Sequence, residues 1–263
     1  MSASLDTENG DKDCSCTLQV GEDGDVILVV GPKENRVQVH SSFLKYISPV
    51  FRAMLDAPML GGDGFRSKLE SDVPFEITLP EDDSRAIVQA LRALYGTDLS
   101  AKLTPRDIKN VVVLADKYGF TMRLQHFGHY WLQIHPHDLY CPGQSWDLAI
   151  AAYLLQNNQA FFDITKKLVT NGESLLAYAK NESDKHLGMQ LGMAIEEVRN
   201  RCKDGGAMGI CLDCFINNTD SFVIKGDLCK YPKRHKRFGP NSWGGGHQLE
   251  GSWVSWEPVE DVN

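Results

Sequence analysis

Residues 24–54 read GDVILVVGPKENRVQVHSSFLKYISPVFRAM, a hairpin followed by two short helices. Val26–Val30 is a continuous apolar run, which fits a strand buried on both faces. Residues 31–35 (Gly, Pro, Lys, Glu, Asn) are a turn cluster. Residues 36–40 then alternate, with Val37 and Val39 on one side, so the two runs predict a hairpin. Ser41 and Ser42 are placed to cap a short helix carrying Phe43, Leu44 and Ile47. Ser48 and Pro49 read as an N-cap followed by proline at the first helical position, where the missing N–H costs nothing. Val50, Phe51, Met54 and Leu55 give this second short helix its apolar stripe.

Upstream, residues 1–16 are polar and charged and are expected to be disordered, with structure beginning near Thr17. Downstream, residues 56–73 are rich in Gly, Pro and charge and read as a loop. Phe75, Ile77 and Leu79 alternate with Glu76 and Thr78, which predicts a third strand with one buried face. Asp82 or Asp83 is expected to cap a helix carrying Ile87, Ala90, Leu91 and Leu94. Thr104-Pro105-Arg106-Asp107 opens the next helix with a capping-box pattern, and Gly119 supplies its C′ residue. A further helix over 122–133 presents Leu124, Phe127, Tyr130 and Trp131. After a boundary at 134–144, residues 145–203 carry three helical stripes: Trp146 to Tyr153, Phe161 to Leu168, and Leu187 to Cys202. From residue 204 to 263 the chain turns glycine-rich and is expected to be an irregular tail. Its Trp253 and Trp256 serve either as a docking motif or as a fold-back onto the helices.

The chain has 263 residues, 42% of them hydrophobic, enough for one ordinary domain and a second packed region. Its net charge of −8 and pI of about 5.5 repel phosphate backbones, so nucleic acid is not an expected partner. No apolar run is long enough for a transmembrane helix, and the N-terminus does not read as a signal peptide. Seven cysteines, an odd number, read as reduced thiols of a cytoplasmic or nuclear protein. Residues 230–237, from Lys230 to Arg237, are strongly basic: a localisation signal, a phosphate-contacting patch, or a solvated tail. Cys211 and Cys214 form a CxxC flanked by Cys202 and Cys229. These four are either thiolate ligands of a tetrahedral Zn²⁺ or four plain thiols, and no other cofactor is expected. His126 and His129 read as polar positions on an amphipathic helix. No nucleophile elbow, phosphate-binding loop or dinucleotide fingerprint is present, so no enzymatic activity is expected.

The joints are specific: Asp25-Val26 in the first strand, His40 through Leu44, Ser48-Pro49-Val50-Phe51, then residues 75–79 and 114–118. This set, over about residues 17–134, resembles the BTB/POZ domain, and most of all the BTB proteins of filamentous fungi. The helical region resembles the BACK-like extension that follows many such domains. The resemblance implies an α+β fold in which helices cover a short sheet, followed by an all-α extension. It also implies a scaffold or adaptor that binds itself as a homodimer and binds other proteins. The family's dimer interface uses the first short helix, which makes Phe43, Leu44 and Tyr46 interface candidates, with core packing as the alternative for Phe43 and Leu44. Asp25 and His40 match polar positions of the family, either a pocket for partner peptides or a structural pair that fixes the hairpin. Ser41 stands where members with a charged pocket carry a basic residue. Cullin-recruiting members carry an apolar residue, any residue, then Glu. Here Met59 is the candidate anchor and Gly61 replaces the acid, so a ubiquitin-ligase adaptor and a nuclear regulator with a zinc-binding tail remain alternative readings.

Overall fold

The computed structural model describes residues 17–56, 73–97, 103–133, 141–201, 208–218, 221–222, 229–231 and 235. A four-stranded mixed sheet comes first, built from β1 (Leu18–Gln19), β2 (Val26–Val30), β3 (Asn35–Val39) and β4 (Phe75–Leu79) in the order β1-β3-β2-β4. β2 and β3 form the expected antiparallel hairpin with Leu28 opposite Val37, and β4 lies parallel to β2 on its other edge. Val26, Leu28 and Val30 are wholly buried in the core, and Ile27 and Val29 on the other face are buried too. This is the covered strand that its unbroken apolar run predicts.

Helices α1 (Ser41–Ile47) and α2 (Pro49–Asp56) follow the hairpin. Ser48 is wholly buried between them. Its hydroxyl accepts from Phe51 N at 3.0 Å and donates to the Tyr118 carbonyl at 2.6 Å, so one side chain caps α2 and ties it to a distant helix. Ser41 does not cap α1 as expected. It is the first helical residue, and its N–H and hydroxyl both donate to the carboxylate of Asp25, each at 2.6 Å. A carboxylate is the stronger acceptor, and Asp25, at the start of the hairpin, already faces the helix start.

Helix α3 (Ser84–Tyr95) is capped by Asp83, which accepts from Arg85 N at 2.8 Å and Ala86 N at 3.3 Å. Asp82 turns inward instead and accepts from the Tyr118 hydroxyl and from Lys117. Helix α4 (Pro105–Lys117) starts with the full Thr104/Asp107 capping box and ends before Gly119 at φ +70°. Residues 121–131 are not one helix: a 3-10 turn (Thr121–Leu124) leads into α5 (Gln125–Trp131). Leu124 is buried there while Tyr130 points outward.

The extension comprises α6 (Pro142–Leu154), α7 (Asn158–Asn171), α8 (Leu176–Asn181) and α9 (Lys185–Arg201). α6 packs between α4 and α7, and its residues 145–152 are all buried, so one apolar core runs from the sheet through to α9. An ionic cluster lies on this junction. Lys109 of α4 meets Glu182 at 2.7 Å and Asp147 of α6 at 3.3 Å, and Arg106 meets Asp147 at 3.0 Å. Trp146 Nε1 also donates to Glu182 at 3.1 Å.

Residues 208–217 differ from the irregular tail expected of them. They form a packed strap that ends in α10 (Leu212–Asn217), with Met208, Ile210, Leu212 and Phe215 buried. Ile210 N donates to Thr165 Oγ1 of α7 at 2.8 Å. A Cβ on Gly209 would come within 1.9 Å of the Phe162 carbonyl oxygen, so only glycine lets the strap cross α7 this closely. The expected disorder of residues 1–16, and Trp243, Trp253 and Trp256, lie outside the described residues.

Candidate functional site

The outer side of α1 and α2 is the first candidate. Leu44 is wholly buried in the domain's own core, and Phe43 is half-buried with its ring 4.0 Å from that of Tyr95. Tyr46 is 62% exposed, with the Arg123 guanidinium 4.5 Å from its ring centre. Met122, beside that arginine, is 71% exposed, and Met54 of α2 also reaches solvent. The outward-pointing apolar atoms of this region thus come from Tyr46, Met54 and Met122 rather than Leu44. Met59 and Gly61 lie outside the described residues.

Asp25 and His40 flank the Val26–Val39 pair at the open end of the hairpin and are each satisfied by a different neighbour. Asp25 holds Ser41, as above. The His40 backbone N–H donates to the Tyr95 hydroxyl at 3.1 Å, and its Nδ1 lies 3.2 Å from the same oxygen. Burial raises the Tyr95 phenol above its ordinary range, against the lowering effect of the His40 hydrogen bond. Gly21 closes over this group, since a Cβ there would meet His40 Nδ1 at 2.5 Å. The arrangement can fix the hairpin to α1 and α3.

The second candidate is a cluster at the strap. Cys211 precedes α10, Cys214 lies on it, and Cys229 and His235 come from the chain beyond. Cys211 Sγ lies 3.8 Å from Cys229 Sγ, and His235 Nε2 lies 3.4 Å from Cys214 Sγ and 3.5 Å from Cys229 Sγ. All four ligand atoms fall within 4.8 Å of one another. Three of the four cysteines singled out in the sequence are brought together here, and Cys202 lies outside the described residues. His235 was hidden inside the basic run. The signal that would have found it is the spacing Cys229-x₅-His235 after the CxxC.

Residues 10–134 match the family model described as BTB/POZ domain. No curated protein matches the chain. The matched span holds the mixed sheet and helices α1 to α5, while the extension and the strap fall beyond it. BTB/POZ domains are typically interaction domains rather than catalytic ones, so the surfaces above are read as contacts for proteins. Residues 10–134 are therefore similar to a BTB/POZ domain, within an α+β fold, and that similarity fits a general role in protein interaction.

Proposed function

We propose that the chain is an adaptor that self-associates through the outer face of α1 and α2 in its BTB/POZ domain, leaving the helical extension to present a second partner. The observation that supports this most is Tyr46, a large aromatic 62% exposed on the helix that the family uses for dimerisation. Exposed Met54 and Met122 add adaptable apolar area. A two-fold partner would place each such residue in the interface twice.

Light scattering of the full chain across micromolar concentrations should give twice the chain mass of 29.3 kDa. Tyr46→Glu should raise the dimer Kd by at least about thirtyfold, the effect of losing an aromatic anchor of about 2 kcal/mol. Its circular dichroism should be unchanged, because Tyr46 lies mostly in solvent and stacks on the side chain of Arg123 rather than in the core. A strict monomer over the whole range would remove the self-association reading.

A further inference from the structure

We propose that Cys211, Cys214, Cys229 and His235 bind a structural Zn²⁺ ion that clasps the basic segment around His235 onto the helical extension. The distances carry the argument. A tetrahedral zinc, with Zn–S near 2.3 Å and Zn–N near 2.0–2.1 Å, requires S···S edges of about 3.8 Å and S···N edges of about 3.5 Å. Three of the six edges are 3.8, 3.4 and 3.5 Å, and all four ligand atoms lie within 4.8 Å of one another. A disulfide would need sulfurs about 2.05 Å apart and gives no role to the imidazole.

Burial points the same way. Cys211 and Cys214 are 2% exposed and His235 5% exposed, with Cys229 partly buried, and four protein donors fill a tetrahedral ion's positions, as in structural rather than catalytic zinc sites. Three thiolates and an imidazole are the soft and borderline donors that zinc accepts in a tetrahedral site. The Tyr231 backbone N–H points at Cys229 Sγ at 3.4 Å, an outer hydrogen bond of the kind that supports a metal thiolate.

Each half of the site is also held by contacts that need no metal. Phe215 of α10 packs against Phe161 and Tyr153 of the extension, with ring centres 5.3 and 5.6 Å away, which fixes Cys211 and Cys214. Lys230 N donates to Asp213 Oδ2 at 2.9 Å, and the Tyr231 hydroxyl accepts from Asn158 Nδ2 at 2.9 Å, which brings Cys229 into place. Binding releases the thiol protons of the three cysteines and leaves His235 neutral at Nε2. The ion then joins the CxxC at α10 to Cys229 and His235 further along the chain.

The test is metal analysis of the full chain, purified reduced and without chelator. About one zinc per chain is expected. Replacement by Co²⁺ should give the visible ligand-field bands of a tetrahedral ion together with thiolate charge-transfer bands. Cys214→Ser and His235→Ala should bring the zinc content close to none, and His235→Cys should restore it with a shifted cobalt spectrum. Cys202→Ser should leave it unchanged. A metal-free chain that takes up neither Zn²⁺ nor Co²⁺, or one with a Cys211–Cys229 disulfide instead, overturns the proposal. Loss of zinc in Cys202→Ser with retention in His235→Ala overturns the ligand set.

Discussion

Lys109 is a buried cation held by two buried carboxylates, and its energetics are set by that number. Burial alone raises Glu182, but the Lys109 hydrogen bond and charge, the Trp146 donor and the Ser183 N–H outweigh it, and Glu182 sits below its ordinary value of 4.5. Burial also raises Asp147, and there Lys109 and Arg106 do not fully offset it. Lys109→Met removes the shared cation and leaves Glu182 charged in the interior. The expected loss at pH 7 is about 3–5 kcal/mol of unfolding free energy, read from urea melts. The sign of its pH dependence follows. In the native protein the lowered Glu182 contributes stability that is complete above its unfolded value and lost as pH falls through the folded one. In the variant Glu182 protonates more readily, so the difference between the two proteins should shrink on acidification. A deficit that stays constant from pH 7 to 4 would mean that lost side-chain packing, not charge, sets the cost.

Residues whose partners are local were legible in the sequence. Thr104 with Asp107, Ser48 with Pro49, and Gly119 all stand where their caps were expected, because capping depends on a few adjacent positions. Lys109 was not legible: its Glu182 partner lies 73 residues away, and a lysine in a helix reads as a solvated position. His235 was hidden for a similar reason, since lysines and arginines on both sides make it look like part of a charge run.

At the scale of elements, periodic segments were read well and aperiodic ones were not. β3, β4, α3, α4 and the long extension helices follow from period-two or helical spacing, and β2 from its unbroken apolar run. The strap over residues 208–217 has no period: it begins among glycines and holds its place through contacts with α7. Its expected weak point is Gly209. Gly209→Ala forces a methyl against the Phe162 carbonyl and should destabilise the protein by about 1–3 kcal/mol in chemical denaturation, in the range of overpacked sites. If zinc clasps the strap, added chelator should deepen that loss. A melt identical to the native protein's would show that the strap can lift off α7 at no cost.

Across the whole molecule, the BTB/POZ domain and the extension share one core and one ionic junction. They should therefore unfold together. Far-ultraviolet circular dichroism, which follows the backbone, and near-ultraviolet circular dichroism, which follows aromatic packing, should give coincident denaturant midpoints. Two separated transitions would show that the α4–α6 contact is too weak to couple them.

The placement of Lys109 also bears on how such a protein can be recombined. A genetic joint at residue 134, where the family resemblance ends, would carry away α4 with Arg106 and Lys109 but leave behind Asp147 and Glu182. The transplanted half would show its new host an apolar helix face and two cations without their counter-ions. Inheritance as a cassette thus favours moving residues 17–235 as one piece, and a chimera cut at 134 would need replacement carboxylates from its new neighbour.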